Sequence, residues 1–290
     1  MKKAIYICAA LVAAIACKGN LEPTYIEDDI YVSPPETRKF TFKIMGDFNV
    51  QPKTKALIGD GKEMTDLWIF DYMDGVLIQQ RHQMDTDEDW GAPVMNLRYG
   101  QHHVYFVASR GDSPELDAEN CILTWGRVKD TFWKDYSINV NSTVSSNRSV
   151  TLDRVVTKLK VCFADTIAAN ASTFNVTPGT WYFGLDYTTG EPCEAKSNET
   201  IIFDIPANML GTDNANVTVF GFSSTTEWST SISLNSKTAQ GDIIGAASIS
   251  SAPFLRNRCT QYTGSLFTAG GTINLSLDDE WSEDSVIGTW

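Results

Sequence analysis

Three histidines, five cysteines after residue 16, one acidic loop and an Arg-Gly-Asp triplet are the residues here whose chemistry could matter. A histidine-built metal site or proton relay needs several imidazoles to converge, and His82, His102 and His103 leave little for one. His102-His103 opens a strand pattern, and alternation sends one imidazole outward, as ordinary sheet positions do. Asp85-Thr86-Asp87-Glu88-Asp89-Trp90 follows a calcium loop for three positions, then lacks the glycine at the sixth and the glutamate at the twelfth. It reads as a solvated acidic loop. Ser109-Arg110-Gly111-Asp112-Ser113 places its triplet in a natural turn, where chance occurrence outweighs integrin-like recognition. Gly-x-Ser-x-Gly, HExxH and a P-loop are absent, and no nucleophile–base pair can be named. The expectation is a non-enzyme with no metal and no cofactor.

Cys121, Cys162, Cys193 and Cys259 stand 41, 31 and 66 residues apart, with no CxxC and no zinc-like spacing. In an exported chain they allow three disulfide pairings, and the spacing chooses none; Cys162, between Val161 and Phe163, suits a buried thiol equally well. Cys17 is different. Lys2-Lys3 precede an apolar run from Ala4 to Ala16, thirteen residues long, ending in small side chains. That is a secretory signal peptide over residues 1–16, too short for a permanent span, which needs about 20 residues. Ala14-Ile15-Ala16-Cys17 resembles a bacterial lipobox, with Ala14 where that pattern prefers a larger aliphatic. The resemblance implies cleavage before Cys17 and acylation of its thiol, giving more than one hydrocarbon chain and stable anchoring in the outer-membrane lipid.

Residues 17–38 form a leader or tether. Its Glu22-Pro23, Glu27-Asp28-Asp29 and Ser33-Pro34-Pro35 oppose a helix. Arg38 is the first basic residue after Lys18, so it is the candidate cleavage site for a trypsin-like protease; the plainer reading is that Arg38-Lys39 opens the first strand. The whole chain carries 23 basic against 36 acidic side chains, a net charge of −13. Such a field repels phosphate and excludes nucleic acid as the expected partner.

From Lys39 onward the hydrophobic pattern has period two. Phe40, Phe42 and Ile44 share a face; Asp66 to Tyr72 and Val76 to Gln80 form a hairpin about Met73-Asp74-Gly75. Further strands are expected at His103–Ala108, Ser137–Val140 and Ser149–Leu152. A second set begins with Val155 to Phe163, with Val155, Leu159, Val161 and Phe163 inward and Lys158 and Lys160 outward. It continues at 171–176, 180–185, 200–205, 216–222 and 272–276. The single helical candidate is Cys121 to Trp133. Closely spaced strands without intervening helices predict an all-β chain of two tandem antiparallel β-sandwiches, residues 39–150 and 151–290. Trp68, Phe70 and Phe106 are expected in the first core, and Leu159, Val161 and Phe220 in the second.

The lipobox, the leader, the segment Thr65-Asp66-Leu67-Trp68-Ile69-Phe70-Asp71-Tyr72 with its hairpin, and Leu152-Asp153-Arg154-Val155-Val156-Thr157-Lys158-Leu159-Lys160-Val161 resemble the fimbrial subunits of Bacteroidales. The chain is most similar to the minor-fimbria anchor and accessory lipoproteins, the fimbrillin-A-associated anchor family, from Cys17 to about Leu275. The resemblance implies two transthyretin-like, Greek-key β-sandwich domains, a lipid-anchored place in the outer membrane and fimbrium, and assembly with other fimbrial subunits by strand exchange. It carries over Cys17 as the acylation site and Arg38 as the bond an Arg-specific protease would cut. Two alternatives accompany that reading: a fimbrial tip adhesin, or a surface glycan-binding lipoprotein, with a host or bacterial surface ligand as the further partner. The glycan reading requires two or three of Trp125, Trp133, Trp181, Tyr182 and Trp228 to lie coplanar on one exposed face; sandwich-core packing is the blander account.

Overall fold

A computed structural model describes residues 36–47, 55–57, 64–213, 215–268 and 274–278. These form twenty strands. In the first half they are β1 (Thr37–Asp47), β2 (Lys55–Leu57), β3 (Asp66–Met73), β4 (Val76–Met84), β5 (Val94–Arg98), β6 (Gly100–Ser109), β7 (Glu115–Asp117), β8 (Ile122–Thr124), β9 (Thr131–Val140) and β10 (Asn147–Arg154). The second half holds β11 (Val156–Phe163), β12 (Thr173–Pro178), β13 (Thr180–Asp186), β14 (Glu191–Ser197), β15 (Ile201–Asp204), β16 (Asn216–Phe222), β17 (Trp228–Lys237), β18 (Ile243–Phe254), β19 (Cys259–Gly264) and β20 (Asn274–Asp278). The chain is all-β, with its sheets forming sandwich-like domains.

Local chemistry explains the first strands. Phe40, Phe42 and Ile44 alternate along β1 and are all fully buried. The β3–β4 hairpin turns through Asp74 at φ 52° and Gly75 at φ 76°. Two successive positive φ values are what the tight, strand-matched two-residue turn requires. β1 is fixed on both sides, running parallel to β10 over Thr41–Gly46 and antiparallel to β5 over Thr37–Thr41. β10 then leaves β1 and pairs through Asp153 and Arg154 with β9, so one strand joins two layers. The opposite layer runs β9-β6-β3-β4. Between the layers, Phe42 meets Phe106 edge-on with centroids 5.3 Å apart, among Leu67, Ile69, Val104 and Leu152.

The second core lies among three four-stranded sheets, ordered β16-β11-β19-β20, β15-β12-β17-β18 and β14-β13-β8-β7. Leu159 and Val161 are buried there, and Phe220 packs against them half-buried. β7 and β8, from residues 115–124, pair into the sheet built on β13 and β14. The core also takes in Phe70 and Val107 from β3 and β6. Phe70 stacks on Tyr187 at 3.8 Å with the rings 7° from parallel.

Several expectations change. Phe70 faces the second core and not the first, because the β3–β6 layer is covered on both faces: Leu67 and Ile69 point one way, Phe70 the other. Trp68 likewise packs on the second core. Lys158 is buried, not outward, since β11 lies inside its sheet and is covered on both faces over Val156–Leu159, where all four residues are buried. No helix forms over Cys121–Trp133. Leu123 and Trp125 are buried while Thr124 between them is half-buried, which is strand periodicity, and β8 pairs accordingly. β17 and β18 carry little sequence contrast, being rich in Ser, Thr, Ala and Gly; on the buried face of β17 the apolar Ile232 and Leu234 are followed by a buried Ser236. Two pairings, β1 with β10 and β11 with β19, are parallel.

Candidate functional site

Two positions were singled out from the sequence for processing. Cys17 and most of the leader lie outside the described residues, as do the last twelve residues of the chain. Arg38 is the second residue of β1, half-buried and paired with Leu97 of β5. Its guanidinium donates to the carbonyls of Asn141 (2.9 Å) and Ser142 (2.6 Å) in the β9–β10 turn. The Arg38–Lys39 bond therefore lies inside a paired strand, while the side chain a protease would read is held by a turn. Phe40, Phe42 and Ile44 all follow that bond, so they would stay with the core after a cut there.

The histidines separate as alternation requires. His103 is exposed, with Nδ1 3.1 Å from Asp135. His102 is wholly buried; Nδ1 lies 2.6 Å from Asp71 Oδ1 and Nε2 2.8 Å from the Arg98 carbonyl. Both partners are acceptors, so both ring nitrogens donate. Burial opposes the charged ring, but the Asp71 hydrogen bond and charge and the Arg98 carbonyl outweigh it, and the pKa is raised. Gln79 donates to the other Asp71 oxygen at 3.0 Å. The His102–Asp71 pair itself is wholly buried, with Gln79 half-buried at its edge.

A second cluster contains serine, histidine and aspartate without the order that makes a nucleophile. His82 Nε2 contacts Asp66 Oδ2 at 2.8 Å, and the Ser113 hydroxyl donates to that same oxygen. A base must stand between serine and carboxylate to activate the hydroxyl; here both bonds end on the carboxylate. His82 instead stacks on Trp68, centroids 4.1 Å apart.

Two acids of the acidic loop are engaged by β4. Asp89 pairs with Arg81 at 2.5 Å and accepts from Gln83, while Asp87 caps the Met84 amide at 2.9 Å. Gly111 of the Arg-Gly-Asp turn, at φ +87°, exchanges hydrogen bonds with Thr65 in both directions.

Cys121, Cys162 and Cys193 carry free thiols, so no two of the four cysteines are joined. Burial pushes the Cys193 thiol up to about 12 and raises Cys162 as well, leaving both poor nucleophiles. Cys121 Sγ lies 3.4 Å from the Tyr72 hydroxyl, which is 3.0 Å from that of Tyr187. Burial raises both phenols, Tyr72 to about 12, so the two hydroxyls stay protonated near pH 7.

The five aromatics do not make a platform. Trp125 and Trp181 are buried, and the Trp181 indole donates to the Phe220 carbonyl at 2.9 Å. Trp133 donates to the Tyr187 carbonyl and Trp228 to Ser223. Trp181 and Trp228 are inclined at 59°, and Tyr182 and Trp228 at 90°. These rings pack the second core instead of facing solvent together.

A family model described as "Family of unknown function (DUF6562)" matches residues 124–289. No curated protein matches the chain. Among solved structures, a candidate cell adhesion protein from Bacteroides ovatus is 12% identical over 84% of this chain and 98% of its own, with a TM-score of 0.53. Candidate polysaccharide binding proteins (DUF1812) from Bacteroides thetaiotaomicron give 11% identity, 82% and 97% coverage and a TM-score of 0.50. The tip fimbrial protein Mfa3 from Porphyromonas gingivalis, with a C-terminal truncation, is 12% identical over 83% of this chain and 99% of its own, with a TM-score of 0.44. At these identities the likeness is one of fold.

Proposed function

The chain belongs to DUF6562, a family of unknown function, and we propose that it is a non-enzymatic, lipid-anchored subunit of a bacterial fimbrium, an anchor or accessory protein supporting adhesion. The observation that carries this reading is the position of β1. It begins at Thr37, twenty residues after Cys17, and drives Phe40, Phe42 and Ile44 straight into the first core. Acylation at Cys17 would thus tether the folded strands to outer-membrane lipid through a segment reaching at most about 70 Å when extended. Resemblance to a candidate cell adhesion protein in fold supports a surface role.

The partners in this reading are other fimbrial subunits, joined by strand exchange. An extended segment from a neighbour would satisfy open backbone groups and bury apolar side chains together. The domains are 39–150 and 151–290, with β7 and β8 contributed across that boundary. Arg38 stays uncut in the anchor form, because its bond lies within the β1–β5 pair and its side chain is engaged. An adhesin at the fimbrial tip is the second reading, favoured by the same fold likeness.

Replacing Cys17 with Ala tests the anchor. The wild type should fractionate with outer membranes and the variant should be released; retention of Cys17→Ala on the membrane would remove the lipoprotein reading. Arg38→Ala separates anchor from polymerising subunit. Unchanged mature mass and unchanged fibres support the anchor, whereas accumulation of a lipidated precursor shows that the bond is normally cut.

A further inference from the structure

A cleft of about 290 Å³ opens where two sheets end side by side. One wall is the edge strand β15, another the edge strand β16, and the loop 126–129 between β8 and β9 forms the third. Phe183 and Phe220 give it apolar surface, and Ile202 stands exposed at its mouth. Two cations enter this apolar setting, Arg127 and Lys129. Among the described residues, neither side chain has an ion-pair or hydrogen-bond partner. The Arg127 guanidinium lies over the Phe203 ring, 4.3 Å from its centroid. Glu199 lines the rim and is exposed.

Half-buried cations are costly without a counter-charge. Burial depresses the pKa of both groups, and Arg127 and Arg110 further depress Lys129 against the opposing influence of Asp112. Three other covered cations of this acidic chain have acidic partners: Arg81 with Asp89, Arg256 with Glu191 and Arg154 with Asp130. In this cleft a planar guanidinium and an ammonium line the same space, and neither has a salt-bridge partner among the described residues. A guanidinium fork fits a carboxylate in bidentate fashion, and the nearby ammonium adds a point charge. Glu199 and Thr218 line the cleft as partners for ring hydroxyls, and Phe220 with the edge of Phe183, whose ring carries Lys196 Nζ 4.9 Å from its centroid, supplies apolar surface for a pyranose.

We propose that this cleft binds a carboxylate-bearing sugar ring, with Arg127 and Lys129 holding the carboxylate between Phe183 and Phe220. The site is independent of the lipid-anchor reading, since it needs neither Cys17 nor a fibre.

Calorimetric titration of the full chain with sodium glucuronate, at low salt near pH 7, tests it. Glucose serves as the neutral counterpart and sodium sulfate as the plain anion. Glucuronate should bind, glucose should give no heat and sulfate should bind more weakly. Arg127→Gln and Lys129→Gln should each weaken glucuronate about tenfold or more while leaving the melting temperature unchanged. The two variants are read separately, so one misfolded protein leaves the other decisive. A disaccharide ending in glucuronate distinguishes sources: binding as tight as the free acid places the ligand at a glycan end, and binding of the free acid alone places it in solution. Absence of glucuronate binding up to about 10 mM, beyond a weak specific site near 1 mM, would overturn the proposal. Equal binding of glucose or sulfate, or indifference to both substitutions, would do the same.

Discussion

The two cores of this protein solve burial differently. The first, between the β1–β10 layer and the β3–β6 layer, has polar side chains buried beside it in β3, β4 and β6: Asp66, Asp71, Gln83 and His102. The second is packed by large rings, with Trp125, Trp181, Tyr187, Phe222 and Phe254 all buried to within 1% of complete. Trp181 meets Phe254 edge-on at 5.0 Å and Trp125 lies 4.9 Å from Phe222. An aromatic core gains from area and tolerates pH; a layer with a buried ion pair depends on both charges staying matched. The shared β3–β6 layer, with Ile69 on one face and Phe70 on the other, couples the two.

The largest loss should come from emptying the aromatic core. Trp181→Ala removes a fully buried ring and its bond to the Phe220 carbonyl, and should cost about 3–5 kcal/mol in urea unfolding. A cost under about 1 kcal/mol would show that the site collapses around the gap.

Asp71→Ala attacks the other region. It strands His102 in a buried site, and breaking a buried pair from one side costs about 3 kcal/mol or more. The same pair sets a pH signature. His102 has a raised folded pKa, so its stabilisation is complete below the unfolded value near 6.5 and fades as pH rises through the folded value. Wild-type melting temperature should therefore fall across that window, and His102→Asn should flatten the fall. An unchanged slope would locate the pH dependence elsewhere.

Gly190→Ala examines the packing between them. The residue sits at φ +72°, and an added Cβ would lie 2.7 Å from the Trp133 ring, so a loss of about 1–3 kcal/mol is expected. The smallest effect belongs to the surface pair Lys134–Asp153, with side chains 37% and 57% exposed. Lys134→Ala should change stability by less than about 1 kcal/mol, read from the same urea curves.

Much of the fold was legible, and the misses share a cause. Strands with strong alternation or a marked turn, such as β1 and the β3–β4 hairpin, were readable because both signals are local. β17 and β18 were not, since serine, threonine and alanine lower the contrast between faces. Lys158 was misplaced because a central strand covered on both sides no longer obeys inside-outside alternation. The candidate cleft was illegible altogether. Arg127 and Lys129 sit in a segment that sequence periodicity assigned to a helix, and their partners in the cleft are some 50 to 90 residues away in the chain.

The sequence by itself determined the all-β class, the face of β1 that is buried, the Asp74-Gly75 turn and the opposite fates of His102 and His103. Each follows from the two-residue repeat of a strand or from the φ preferences of one or two residues. Only the tertiary structure decided that β1 lies parallel to β10, that β8 joins β13 and that β3 serves two cores. Those choices depend on which apolar faces meet once distant segments close, and period-two patterning is the same whichever strand becomes the neighbour. The pairing of Asp71 with His102 and the company of Arg127 with Lys129 were settled in that same step.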